Sequence, residues 1–336
     1  MVAGRIGIAR QDGLCSLRSS FCVHSTSLPP PILLAGPTAS GKSAVALTLA
    51  ERLGGEIVSV DSMQVYRGLD LGTAKPTATE RTRVPHHLLD VAELTDPFDA
   101  AKFVELASAA VTGIQSRGRV AILCGGTGLY FNVWLNGLGE APAPDPKLRA
   151  ELESLPLAEL LDELARRDLA TFDEIDLQNR RRVVRAVEVI RLTGRPFSEQ
   201  RAAWPERAPA LAGRSFGLLR DRTDLVRRID QRVDVMFRDG LIEETRRLLG
   251  LGLKQNRTAL QAIGYRQVVE HLRGEHSRLE TIELVKVRTR QFAKRQLTWF
   301  RGQLDLDWLD VSPTETPETT AERVCARLAK SAGPGN

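Results

Sequence analysis

Cysteine is scarce. Cys15, Cys22, Cys124 and Cys325 are the only four in 336 residues, with no Cys-x-x-Cys pair and no zinc-like spacing to His24, His86, His87, His271 or His276. Cys15 and Cys22 lie near His24, yet three ligands in a serine-rich tail make a poor metal site, and scattered free thiols suit a reducing cytoplasm. Long apolar runs are also missing: no stretch approaches the ~18 uninterrupted apolar residues of a membrane helix, which argues against a spanning protein. Charge of one sign is not in excess either. With 47 basic against 42 acidic residues the net charge is +5, too mild to establish a nucleic-acid partner, so the distribution of charge must decide. What remains is an ordinary globular composition, 42 % hydrophobic and 26 % charged, in a chain long enough for one elaborated domain or two.

The strongest positive signal is at residues 36–43, Gly-Pro-Thr-Ala-Ser-Gly-Lys-Ser, which follows the apolar run Ile32, Leu33, Leu34, Ala35. This is the phosphate-cradling pattern G-x-x-x-x-G-K-[ST]. Gly36 and Gly41 let the backbone turn so that successive N–H groups face a phosphate chain; Lys42 adds a point charge, and the Ser43 hydroxyl can reach a bound magnesium ion. Residues 44–53 have helical spacing before Gly54 and Gly55, and residues 56–60 form a second apolar strand. Strand, loop, helix, strand predicts a parallel β-α-β unit, with ligands at the carboxyl ends of the strands.

Asp61 ends the second strand and should therefore stand beside the phosphate loop, as a magnesium ligand, a general base or a turn cap. A third strand over 120–123 would end in the magnesium-binding Asp of a nucleoside-triphosphate hydrolase. It ends instead in Cys124-Gly125-Gly126-Thr127-Gly128, which argues against a standard ATPase. Thr127, at the start of a helix expected over 128–135, is placed either to meet a phosphate or to cap that helix. The polar segment 63–83, with Arg67 and Lys75, is long enough to be functional. His86 and His87 lack a third ligand and read as structural or substrate-contacting.

Residues 1–28 carry Arg5, Arg10 and Arg18 against one acid, Asp12, and read as a disordered extension or misassigned start more than as a transit peptide. A proline-rich joint over 141–146 opens a region to 214 that reads as helices only, a helical domain inserted into the α/β core. Arg180, Arg181, Arg182 and Arg185 share one side of its helix over 177–192, with Val183, Val187 and Ile190 at core spacing on the other. Strand character returns at 215–219, and a helix over 221–238 bears Arg222, Arg227, Arg228 and Arg232. Residues 258–267 place Tyr265 beside Arg266, a pairing suited to stacking plus phosphate contact. Residues 284–302 hold six basic residues and no acid. Val285, Phe292 and Trp299 repeat every seven positions, predicting a docked face, while Lys286, Arg290 and Lys294 predict a basic one that meets polyanion. An edge strand over 304–310 and a closing helix over 315–330 complete the chain.

Seven blocks together resemble the tRNA dimethylallyltransferases: residues 36–43; Asp-Ser-Met-Gln-Val-Tyr-Arg-Gly-Leu-Asp-Leu-Gly-Thr-Ala-Lys at 61–75; Pro-His-His-Leu-Leu-Asp at 85–90; Gly-Gly-Thr-Gly-Leu-Tyr at 125–130; Arg-Ala-Val-Glu-Val at 185–189; Gly-Tyr-Arg-Gln at 264–267; and Lys-Arg-Gln-Leu-Thr-Trp-Phe-Arg at 294–301. The resemblance covers about residues 31–309. It implies a P-loop-type core with a mostly parallel sheet in two parts, 29–140 and 215–311, the second with the basic helices. It further implies a tRNA-binding helical insert at 141–214 and a C-terminal helix and tail at 312–336. It implies transfer of a dimethylallyl group from dimethylallyl diphosphate to N6 of the adenosine 3′ of the anticodon in tRNAs reading codons that start with U, by a magnesium-dependent cytoplasmic monomer. Gly36, Pro37, Thr38, Ala39, Ser40, Gly41, Lys42, Ser43 and Arg232 would bind the diphosphate, Asp61 would be the base, and Thr127 would bond the bridging oxygen. Ser62, Met63, Gln64, Arg181, Arg182, Arg185, Gln261, Gly264, Tyr265, Arg266, Arg290, Lys294 and Arg295 would contact the tRNA anticodon stem-loop. One departure stands out: where many members read Asn-Asp before the arginines, this chain has Gln178 and Asn179. An ATP-dependent small-molecule kinase, a prenyltransferase acting on free adenine nucleotides and a non-catalytic RNA-binding switch are the competing readings.

Overall fold

The protein is described by a computed structural model over residues 30–201, 211 and 213–331; the extension expected at 1–28 lies outside these residues. Six strands form one sheet: β1 Ile32–Ala35, β2 Glu56–Val60, β3 His86–His87, β4 Ala121–Gly125, β5 Ser215–Leu219 and β6 Asp307–Asp310. Their order is β3-β2-β4-β1-β5-β6, and every neighbouring pair is parallel. The central strands read as unbroken apolar runs because both faces are covered. Strand β3 is an addition to the sequence reading. Two residues are too few to show a period, and only their pairing with Ile57 and Val58 defines them.

Thirteen helices follow in chain order among the described residues: α1 Lys42–Leu53, α2 Ala78–Arg83, α3 Ala100–Ser116, α4 Gly128–Asn136, α5 Pro146–Ser154, α6 Leu157–Arg167, α7 Leu169–Glu174, α8 Arg180–Thr193, α9 Arg222–Arg238, α10 Leu241–Gly250, α11 Tyr265–Leu272, α12 Arg278–Gln303 and α13 Pro317–Ser331. Alternation along β1 sorts them into layers. Ile32 and Leu34 join a core with α1 and α13, whereas Leu33 and Ala35 face Phe103 of α3, Phe131 of α4 and Phe300 of α12. Helices α5 to α8 bury Leu160, Leu164, Val183, Val187 and Ile190 in a separate cluster, so the region after the proline joint has its own small core. Asn179 caps α8 by accepting the Arg182 N–H, which gives the departure at this turn a structural role. Among the described residues no helix is long and apolar enough to cross a membrane.

Two expectations need correction. The docked face of α12 runs through Val285, Ala293, Gln296 and Phe300, not through Phe292, which is 37 % exposed. A straight α-helix has 3.6 residues per turn, so a seven-residue spacing drifts off the seam over three repeats. The basic stripe of α12 is also partly spent: Lys286 pairs with Asp234 at 2.8 Å and Arg290 with Asp230 at 3.1 Å, both acids on α9.

Candidate active site

The phosphate loop leaves β1 and enters α1 through Gly41, whose φ of 96° is the left-handed conformation that favours glycine. Ala39 is left-handed too, at φ 64°. The turn aims backbone carbonyls outward, and each of three finds a cation. Lys42 Nζ donates to Pro37 O at 3.2 Å, Arg228 Nε to Ala39 O at 3.0 Å and Arg220 Nε to Ser40 O at 2.8 Å. With three of its carbonyls bonded to cations, the loop keeps the start of α1 suited to an anion. Thr38 departs from the expectation, because its N–H is already spent on the side-chain oxygen of Gln296 at 2.9 Å. The Ser40 hydroxyl is buried without a hydrogen-bond partner, and its N–H is spent on Pro37 O at 3.3 Å.

Asp61 follows β2 as the β-α-β unit requires. Its Oδ1 accepts the N–H groups of Met63 at 2.8 Å and Gln64 at 3.2 Å, fixing the carboxylate in an Asx-type turn. Thr127 begins α4 without capping it; its Oγ1 accepts the Ser62 N–H at 3.1 Å, so the turns after β2 and β4 are tied through Thr127 and the residue next to Asp61. Asp61, Thr127, Lys42, Ser43 and Arg232 line one cavity of about 350 Å³, which continues to Phe292 and Arg295 of α12. Burial, reinforced by Arg232, lowers the Lys42 pKa, with Cys124 and Asp61 opposing, and burial likewise lowers that of Arg232. Buried cations beside a phosphate loop are chemically suited to an anion. Burial pushes the neighbouring Cys124 thiol up to about 11, leaving it unreactive. A roomier groove of about 1040 Å³ between α9 and α12 contains neither the phosphate loop nor either candidate residue.

Comparison with known proteins decides the family. The model of the IPP transferase family matches residues 64–303. The tRNA dimethylallyltransferase 1 of Trichlorobacter lovleyi is 47 % identical over 285 residues, 84 % of this chain and 93 % of that one. The chain belongs to the IPP transferase family. It is a transferase of the prenyl-transferring class. The tRNA dimethylallyltransferase of Methylococcus capsulatus is 42 % identical over 91 % of this chain and all of its own length. Among solved structures, the tRNA isopentenylpyrophosphate transferase of Bacillus halodurans superposes with a TM-score of 0.65 at 37 % identity, covering 91 % of this chain and 98 % of that one. A eukaryotic dimethylallyltransferase solved acting on tRNA reaches 0.68 at 27 % identity, covering 84 % and 74 %.

Two contributors to the site were not assigned a role there by sequence reasoning. Arg220 and Arg228 brace the phosphate loop by bonding its carbonyls. The expected Arg232 lies on the same helix as Arg228 and lines the cavity itself, donating to Thr73 O at 3.3 Å. The spacing of 228 and 232, about one helical turn, was the available signal. Lys75, inside the expected functional loop, is a buried strut: it donates to Tyr66 O at 2.5 Å, Asp70 at 2.9 Å and Asp90 at 2.5 Å. Burial would raise the Asp90 carboxyl, but Lys75 and Arg81 more than offset it and hold it below the usual range. His87 is structural as well, bonded to Glu56 at 2.7 Å.

The residues expected to contact RNA divide. Ser62 and Met63 line the cavity, as do Gln261 and Arg295. Arg181, Arg182, Arg266, Lys294 and Arg295 are exposed. Arg266 is held between Gln261 and Glu270, and Lys294 faces the larger groove. Five others are committed elsewhere. Tyr265 is fully buried, its hydroxyl donating to Glu244 at 2.6 Å, so it cannot stack on a base. Gly264 is buried at the start of α11, its N–H bonded to Gln267. Gln64 spends its amide on Ser59 and on Thr73 O. Arg185 bonds the buried Glu188 at 2.7 Å and Pro142 O, holding the insert to its joint, and Arg290 is paired with Asp230. A buried acid must be paired, and that demand outweighs the pull of a distant phosphate.

Proposed function

We propose that the protein transfers a dimethylallyl group from dimethylallyl diphosphate to N6 of the adenosine 3′ of the anticodon, in tRNAs reading codons that start with U, as a cytoplasmic monomer. The observation that carries this reading is the single cavity in which Asp61 and Thr127 share the lining with the phosphate loop, with an exposed aromatic and an arginine at its far end. The adenine amine is a poor nucleophile because its lone pair is delocalised. The allylic carbon is therefore made electrophilic by easing departure of the diphosphate. The N6–C bond forms as the C–O bond breaks, the electron pair leaves with the diphosphate, and the N6 proton passes to the Asp61 carboxylate. Lys42, Arg232 and the start of α1 take up the charge that builds on the leaving group, and the Thr127 hydroxyl bonds its bridging oxygen. Ser43, exposed at the first turn of α1 and lining the same cavity, is the hydroxyl oxygen fitted to magnesium. When bound there, magnesium would neutralise diphosphate charge.

The adenine must leave its stack to reach Asp61, so base flipping is part of the reading. The test is transfer of labelled dimethylallyl to unmodified tRNA with magnesium, beside an Asp61→Asn variant and an ATP-hydrolysis assay. Label that appears in tRNA and drops by a factor on the order of 10² or more in the variant supports both the reaction and the base. ATP turnover without label would return the phosphate loop to a kinase, and label on free adenine nucleotides alone would replace the substrate.

A further inference from the structure

Helix α12 passes over the carboxyl ends of β1 and β4 and puts a buried glutamine between two turns. Gln296 Oε1 accepts the Thr38 N–H of the phosphate loop at 2.9 Å, and its Nε2 donates to Gly126 O, beside Thr127, at 2.8 Å. The fit leaves no slack. A Cβ on Gly126 would collide with Gln296 Nε2, and one on Gly128 would collide with the Trp299 ring, so the glycines flanking Thr127 are the imprint of α12. The same helix carries Phe292 and Arg295 into the far end of the cavity.

Building on the function proposed above, we infer that Gln296 is a positioning residue. It sets the separation between the phosphate loop and the turn carrying Thr127, and it couples engagement of RNA on α12 to the grip on the diphosphate. Only a side chain with one acceptor and one donor at this reach satisfies both turns. Methionine has the shape without the bonds. A protonated glutamic acid reproduces both bonds, its O–H donating to Gly126 O and its carbonyl accepting from Thr38. An ionised glutamate sets one acceptor against another. The charged and titratable groups sharing the cavity are Lys42 from α1, Asp61 after β2, Cys124 from β4, Arg232 from α9 and Arg295 on α12 itself. They are common to wild type and variant, so the ratio of the two rates isolates position 296.

Three readouts test this. For Gln296→Met, kcat should fall about tenfold to a hundredfold while KM for tRNA stays within about threefold, the split expected when an interaction matters mainly in the transition state. The gain in inorganic diphosphate affinity that tRNA confers on wild type should disappear in the same variant. For Gln296→Glu, the rate relative to wild type should rise steadily as pH falls, a rescue that a merely space-filling role would not produce. A flat ratio, or a Met variant with unchanged kcat and intact coupling, would overturn the inference. Should the Met variant fail to fold, the pH ratio of the Glu variant decides. A wild type that bound diphosphate but modified no tRNA would defeat the function reading alone. Hydrogen exchange at the Thr38 amide would then decide the role of Gln296, slow in wild type and fast in Gln296→Met if it holds, equal in both if it does not.

Discussion

Replacing Tyr265 by Phe separates an RNA-stacking tyrosine from a structural one. The ring is fully buried and its hydroxyl joins two segments, donating to Glu244 Oε1 at 2.6 Å and accepting the Gly72 N–H at 3.1 Å. Glu244 also receives the Leu71 N–H at 3.1 Å, so it keeps partners when the hydroxyl goes. The Gly72 N–H does not, and the ring packed against Gly72 leaves no space for a substitute. Phenylalanine preserves the volume, so no cavity term arises. Loss of a buried hydrogen bond to a carboxylate, together with the part-buried Gly72 N–H left without its partner, costs about 2–3 kcal/mol. At about 1.4 °C per kcal/mol for a chain of 336 residues, the unfolding midpoint should drop by about 3–4 °C. Scanning calorimetry measures the drop, and steady-state transfer should give a KM for tRNA within about twofold of wild type at a temperature where both are folded. An unchanged midpoint with a tenfold rise in that KM would refute the structural assignment and restore Tyr265 to the RNA surface.

Thr127→Val keeps the shape and removes the hydroxyl, so single-turnover transfer should slow by about 10²- to 10³-fold with little change in tRNA binding; equal losses in both would sink its catalytic role. Because burial and Arg232 lower the Lys42 pKa, diphosphate affinity should weaken as pH rises, at lower pH than an ordinary lysine would cause. Titration calorimetry against Lys42→Arg, whose cation does not titrate in this range, should show the alkaline loss only in wild type. Removing the exposed Arg181 and Arg182 together should make tRNA binding less salt-dependent, lowering the slope of log K against log salt by about 0.7–0.9 for each phosphate they neutralise; an unchanged slope would place them off the RNA.

Much of the candidate site was legible in order along the chain. The run from Ile32 to Ser43, the second strand ending at Asp61, and the third strand ending in glycines and Thr127 rather than in a carboxylate are local signals. Chain direction in a parallel sheet does the rest, bringing all three strand ends to one edge. The insert announced itself in the same way, through the prolines after residue 140 and the stripe Val183, Val187, Ile190 that became its core. Spacing carries this information because a helix or strand turns a period directly into a face.

What spacing does not carry is the identity of the partner. Thr38 and Gln296 are 258 positions apart and Gly126 and Gln296 are 170 apart, and no pattern in either segment requires that they meet. The arginines show the same limit. Arg181 and Arg182 stay exposed, whereas Arg185, on the same helix, turns to the buried Glu188, and Arg228 turns to the Ala39 carbonyl of the phosphate loop. Tyr265 and Phe292 exchange their expected places, one sunk beneath Gly72 and the other left at the mouth of the cavity. Every strand but β3, the phosphate loop and the places of the candidate residues Asp61 and Thr127 were readable from neighbours in the chain. Only the docking of α9 and α12 against the strand ends decided which cations line the cavity and which are consumed by ion pairs elsewhere. Those choices rest on desolvation and long-range pairing, which exist only once the chain has folded.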